Sequence, residues 1–238
     1  MQRCTVILLL VTFSCMSNNA LLHKLEQPVK EKGYGLALMV DPFLTQSSDE
    51  KSRLVTGEAT FIAPSLYEKY YLNEQLDYGF EFLPTLSVFL LYRPYKTDNL
   101  FPEFYSLTKA SLFLLPFVAV IWGFSFEQKI ALSIKPVKWL SLKAGASVRI
   151  WTGDATVGTE YLAPLSSETI NPYGKGAFLT YGPLLSLDIH FNSSWIKRIN
   201  ISLDWFMYKN IGKLYGPGLD QKQFLPQDKY ILNIGVSF

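Results

Sequence analysis

The chain has 238 residues, 49% of them hydrophobic and 18% charged, with a formal net charge of +2. The charged share lies below the roughly 25% of an average soluble domain, while 17 Phe, 14 Tyr and 5 Trp supply ample material for a core and exclude a disordered chain. A balance this close to neutral leaves no electrostatic footprint for nucleic acid.

The first residues run Met1-Gln2-Arg3-Cys4-Thr5, then an apolar stretch from Val6 to Phe13, then Ser14-Cys15-Met16-Ser17-Asn18-Asn19-Ala20. A basic start, a short apolar stretch and a small residue predict a secretory signal peptide over 1–20, cut near Ala20. The apolar stretch is too short for a spanning helix, which needs about 20 residues. Thr12-Phe13-Ser14-Cys15 offers lipid attachment at Cys15 as an alternative. Both cysteines, Cys4 and Cys15, lie in this segment, so the mature chain is expected to have no disulfide, thiol chemistry or Cys-based metal site. Residues 21–32 read as a polar lead in the periplasm, with His23 solvated.

From residue 33 onward the chain alternates. Strands are predicted over 33–44, 76–93, about 103–116, 122–135, 139–151, 176–191, 198–209 and 229–238. In 124–135, Phe124, Phe126, Ile130, Leu132 and Ile134 oppose Ser125, Glu127, Lys129, Ser133 and Lys135. In 139–151, Leu140, Leu142, Ala144, Ala146, Val148 and Ile150 oppose Ser141, Lys143, Gly145, Ser147 and Arg149. Successive strand side chains point to opposite faces, so each such run has one apolar and one polar side. The 17 uncharged residues between Lys109 and Glu127 break the pattern; with Pro116 in the middle they read as two strands meeting at a short turn. Residues 45–75 read as a long first outer loop, or, in a ten-strand alternative, as two further strands at 54–62 and 66–76.

Alternation alone does not say which face is inside. A lipocalin-like barrel turns the apolar face inward and a membrane barrel turns it outward. The polar face mixes charges with Gly, Ser and Asn, which suits a narrow hydrated lumen. Aromatic and basic residues collect at strand ends, in Tyr92-Arg93-Pro94-Tyr95-Lys96, Lys135-Pro136-Val137-Lys138-Trp139 and Trp195-Ile196-Lys197-Arg198, as an interfacial girdle requires. The chain also ends on an aromatic in mid-alternation: Tyr230, Leu232, Ile234, Val236 and Phe238 share one face, with Gly235 on the other.

That last run resembles the carboxy-terminal targeting strand of bacterial outer-membrane β-barrel proteins, small barrels of the OmpA-transmembrane, OmpX or OmpW type. The resemblance implies an all-β fold, a transmembrane antiparallel up-and-down barrel over 33–238, in the outer membrane of a diderm bacterium. It implies outer-membrane lipids and the barrel assembly machinery as partners, with Tyr230, Leu232, Ile234, Gly235, Val236 and Phe238 as the assembly signal. Loop lengths set the strand number at eight, with ten as the alternative, and put both termini in the periplasm.

No P-loop, dinucleotide fingerprint or His-Glu-x-x-His motif occurs, and no cofactor or metal is expected. Glu81, Arg93, Glu127, Lys129, Lys143, Arg149, Asp188, His190, Ser202 and Asp204 are expected on the inner face as a polar network. Asp188 and His190, with Asn200 and Ser202 on the next strand, contain the residue types of nucleophilic catalysis, but a hydrogen-bonded lumen network accounts for them more simply. The leading function is a non-enzymatic structural or surface-binding protein with ligand contacts on loops 45–75, 152–175 and 210–228. A narrow porin or carrier for small, apolar solutes and a lipid A-modifying hydrolase using His190 are the alternatives.

Overall fold

Ten runs of alternating residues pair edge to edge and close on themselves, leaving no free strand edge. The computed structural model describes residues 18–40, 61–82, 86–97, 101–115, 120–156, 173–192, 195–210 and 229–238. The strands are β1 (Lys30–Val40), β2 (Phe61–Tyr71), β3 (Leu76–Phe82), β4 (Leu86–Tyr92), β5 (Glu103–Leu115), β6 (Val120–Val137), β7 (Leu140–Thr156), β8 (Tyr173–His190), β9 (Arg198–Asn210) and β10 (Lys229–Ser237). Each pairs antiparallel with its chain neighbours, and β1 pairs with β10 to shut the barrel, with Tyr34 opposite Val236 and Leu36 opposite Ile234.

The strand number therefore differs from the expected eight, and the extra pair comes from two places. The expected strand 76–93 is a hairpin, β3 and β4, with Glu81 opposite Ser87. Its two arms keep the same parity, so Leu76, Tyr78, Phe80 and Phe82 and then Leu86, Val88, Leu90 and Tyr92 all point outward, and one unbroken alternation hides the turn. The other addition is β2, which lies inside the expected 45–75 loop. Its bounds also differ from the 54–62 and 66–76 of the ten-strand alternative, while residues 45–60 lie outside the described residues. Near its end β2 turns Tyr67 inward and Glu68 outward, where Lys30 and Lys32 hold the carboxylate at 2.7 and 3.3 Å. That reversal of polarity conceals the strand.

Elsewhere the bounds shift modestly. β1 starts at Lys30, β7 runs on to Thr156 and β8 begins at Tyr173, so the expected loop 152–175 shrinks at both ends. Its remainder, 157–172, lies outside the described residues, as do 41–60 and 211–228. The apolar stretch after Lys109 is β5 and β6, paired as far as Leu115 opposite Ile121, as the sequence predicts.

The faces separate cleanly. Outward are Phe124, Phe126, Ile130, Leu132 and Ile134 on β6, Leu142, Val148 and Ile150 on β7, and Ile201 and Leu203 on β9, all exposed. Inward are Glu127, Lys129, Lys143, Arg149, Asp188 and Asp204, all buried. In water this distribution is inside out. It suits a bilayer, where a closed barrel pairs every backbone group internally and shows lipid only apolar side chains. The chain is a membrane-type β-barrel with the architecture of an outer-membrane protein. The two ends of the barrel differ. One, the near end, carries the start of β1, the finish of β10 and short connections such as residues 72–75 and 138–139. Exposed aromatics cluster there, including Tyr92, Tyr95, Trp139 and Trp195, and Tyr34 packs edge-on against Phe238 at 5.6 Å. The other, the far end, carries the long connections after β1, β7 and β9.

Arginine at an outward position near the bilayer midplane of a barrel costs about 2–4 kcal/mol. Leu203→Arg is expected to lose stability of that order in a urea titration of the bilayer-refolded protein, whereas Ser202→Ala, on the inward neighbour, is expected to change little.

Candidate functional site in the barrel lumen

A barrel's diameter grows with its strand number, and eight strands already leave an interior that side chains just fill. Ten leave more, and this chain fills the difference with its own backbone. Residues 18–25 lie inside the barrel, with a short 3-10 turn at Asn19–Leu21, and residues 26–29 lead out at the near end into β1. The expectation of a polar lead outside the barrel, with His23 solvated, is corrected here. Asn18, Asn19, Ala20, Leu21, Leu22, Lys24 and Leu25 are all buried.

Each part of the segment meets a matching wall. Leu21 and Leu22 join an inward-facing apolar cluster with Phe89 and Leu91 of β4 and Tyr105 and Leu107 of β5. Lys24 pairs with Asp77 at 2.7 Å, both side chains without accessible surface, and the same carboxylate accepts the Leu25 amide at 2.7 Å. Lys69 Nζ donates to the carbonyls of Leu21, at 2.9 Å, and His23. At the exit, Glu26 bridges Arg93 and Lys96, both at 2.7 Å.

The sequence-predicted inner-face residues fall into two groups. Toward the near end, Arg198 is a hub. Its guanidinium donates to Asp188 at 3.1 Å, to Glu31 at 2.9 Å, to the Ala20 carbonyl at 2.9 Å and to the Tyr67 hydroxyl at 3.3 Å. Asp188 also accepts from Lys143 and, at 2.6 Å, from Asn200. Deeper in the lumen, Glu81 pairs with Lys109 at 2.9 Å, Lys109 lies 3.4 Å from Glu127, and Glu127 pairs with Arg149 at 2.7 Å. Asp204 accepts from Asn19 at 2.9 Å and from Asn233 at 3.1 Å, and Lys129 donates to Asn19. Arg93 sits just past β4 at the near end, on Glu26, and 3.7 Å from Glu103. Removing one member of such a buried pair costs about 3–5 kcal/mol, because its partner keeps an uncompensated charge. Sequence reading missed Asp77, Lys69, Glu31, Lys109 and the whole of 18–25. Lys69 and Glu31 lie on strands whose alternation was not recognised there, and nothing in a polar lead announces that it folds inward.

Of the residues considered for catalysis, His190 is not brought to Ser202. Ser202 faces Ser186 across the β8–β9 pair, while His190 Nε2 lies 3.0 Å from Ser141 Oγ. Asp188 bonds to Lys143, Arg198 and Asn200, and among the described residues no carboxylate hydrogen-bonds the His190 ring. The base of a nucleophilic triad needs such an orienting acid. His23, Asp188 and His190 bring a potential metal-ligand atom each within 4.8 Å of one another. A cation there would have to displace Lys143 from Asp188 and then face Arg198, so the charges around the trio oppose it.

The outward residues of β10, Tyr230, Leu232, Ile234 and Val236, and Phe238 just past its end, lie on the apolar outer side, with Tyr230 stacked on Trp205 at 5.6 Å. Gly235 faces the lumen, opposite Gly35.

No family model and no curated protein matches the sequence. Among solved structures the chain is similar to Neisserial surface protein A (NspA), with 11% identity, 87% of this chain and 94% of that one covered and a TM-score of 0.37. It is also similar to OccAB2 of Acinetobacter baumannii, with 12% identity, 76% of this chain covered and a TM-score of 0.23; the chain spans 56% of OccAB2. Likenesses this distant carry no argument about role, which has to come from the barrel's own geometry.

The lumen segment is expected to dock less firmly as the pH falls. Burial, and then the charges of Arg198, Lys69 and Lys143 and the ring of His190, hold His23 well below its ordinary value of about 6.5. Asp188 is the acidic group of the same cluster and its charge is already taken by Lys143 and Arg198. A released segment binds the His23 proton more readily than a docked one, so docking weakens as the pH falls below about 6.5. Glu26 acts in the same direction lower down. Burial would raise its pKa, but the hydrogen bonds from Arg93 and Lys96 outweigh that and hold it at about 2, so its contribution is lost between 4.5 and about 2. Amide exchange over residues 20–25, corrected for intrinsic rates, is expected to speed up between about pH 7.5 and about pH 5 in the wild type and to respond less in His23→Leu. Protection that stays level in the wild type would contradict this.

Proposed function

We propose that this chain is an outer-membrane β-barrel of a diderm bacterium, exported by its amino-terminal segment, whose lumen is closed and whose role is structural or surface-binding. The observation that carries the reading is the filled interior. Residues 18–25 and the ion pairs around Arg198, Asp77, Glu81 and Glu127 occupy the space that a solute would cross. On this reading the near end, with its short connections and exposed aromatics, faces the periplasm. The far end then presents the longest connections to the outside, where recognition on a rigid barrel tends to reside. On the same reading the outward face of β10 serves as the assembly signal for the barrel machinery, and the exposed apolar band meets outer-membrane lipid.

A narrow porin or carrier is the competing reading, and a flux measurement separates the two. In proteoliposomes containing the folded protein, small sugars and ions are expected to leak no faster than through protein-free vesicles at neutral pH. Solute-dependent flux or discrete conductance steps would favour the carrier. The hydrolase reading has less support, since Ser141, rather than Ser202, meets His190 and no acid orients the ring among the described residues.

A further inference from the structure

Asn18, Asn19 and Ala20, the three residues that a cut after Ala20 would remove, are buried and bonded to the barrel wall. Asn18 Nδ2 donates to Ser65 Oγ at 3.0 Å and to Glu81 Oε1 at 3.1 Å. Asn19 Nδ2 donates to both carboxylate oxygens of Asp204 at 2.9 Å, and its Oδ1 accepts from Lys129. The Ala20 carbonyl accepts from Arg198 at 2.9 Å. The barrel wall fits closely against this segment as well. A Cβ on Gly235 would come within 2.8 Å of the Ala20 Cβ, so that glycine leaves room for Ala20, while one on Gly35 would meet Ser65 Oγ at 2.5 Å before the Asn18 side-chain nitrogen at 3.3 Å.

A mature chain starting at Leu21 would lose all of these partners at once, leaving buried polar groups of β2, β3 and β9 with fewer partners. It would also set a new ammonium on Leu21, whose carbonyl is held by the Lys69 ammonium. A start at Asn18 keeps every one of these bonds and puts the ammonium on the residue whose side chain bonds Glu81.

The sequence supplies a cut that suits this. Signal peptidases require small residues at the last and third-last positions before the cut. For a cut after Ser17 those positions are Ser17 and Cys15, both small; for a cut after Ala20 they are Ala20 and Asn18. We propose that the exported chain is cut between Ser17 and Asn18, so that Asn18, Asn19 and Ala20 remain on the mature protein as the tip of its lumen segment. This moves the boundary expected near Ala20 three residues toward the start. It rests on the export reading above and does not depend on whether the barrel conducts.

The test is intact mass and amino-terminal sequencing of the full-length gene product recovered from the outer membrane of a Gram-negative host. The expected first residue is Asn18. A chain starting at Leu21, or at a lipid-modified Cys15, would overturn the proposal while leaving export intact. A chain that keeps Met1, or never reaches the membrane fraction, would overturn the export reading and the proposal with it. Two variants give a second reading that does not require the barrel to fold. Ser17→Leu is expected to accumulate unprocessed precursor, whereas Ala20→Leu is expected to be processed like the wild type. The reverse pattern would place the cut after Ala20.

Discussion

A charge turned inward in a filled membrane barrel reaches neither lipid nor bulk water, and must find its counter-charge inside the barrel. Arg198 shows what this demands. Its guanidinium needs acceptors on several sides, and it draws them from β8, β1 and β2 as well as from the carbonyl of Ala20. The last of these does not belong to the wall. With ten strands the interior is too wide for facing side chains to satisfy one another everywhere, and a piece of backbone completes the pairing. The segment 18–25 is thus part of the core rather than a tail, and its position in the lumen follows from where Asp77, Lys69, Arg198 and Asp204 stand on their strands.

The same constraint orders the rest of the molecule. Among the described residues the charged groups of the lumen are engaged in ion pairs and hydrogen bonds, which is what the proposed closed lumen rests on. His190 illustrates this: it keeps a hydrogen bond to Ser141, but the carboxylate next to it on the strand is taken by Lys143, Arg198 and Asn200. The longest connections of the chain, after β1, β7 and β9, lie at the far end. On the proposed function the barrel presents these connections at a surface, while its apolar outer band suits a bilayer.

Much of this was legible in the sequence, and what escaped did so for physical reasons. The alternation of Leu140 to Ile150 and of Ile199 to Met207, the girdle residues and the terminal Phe238 were sufficient to choose a membrane barrel over a soluble one. The count of strands was not, because a hairpin whose arms share one parity looks like a single strand, and because Glu68 points outward near the membrane edge where lysines can meet it. Phe89, Leu91 and Leu107 stand on the inner face of otherwise regular alternations, where they form one apolar cluster with Leu21 and Leu22 and with Tyr105 and Leu184 of the wall. Period-two reading assigns faces within a strand. It carries no information about a non-repeating segment that borrows partners from many strands.

The account depends most on residues 18–25 lying inside the closed barrel, and thiol accessibility tests that directly. The chain from Asn18 onward contains no cysteine, so single cysteines can be placed at will. In the folded barrel in lipid at neutral pH, Leu22→Cys, at a site without accessible surface, is expected to resist a membrane-impermeant maleimide until the barrel is heat-unfolded. Trp195→Cys, 81% exposed at the near end, is expected to react at once. Labelling of Leu22→Cys as fast as Trp195→Cys in the folded protein would contradict the filled lumen and, with it, the closed-barrel reading.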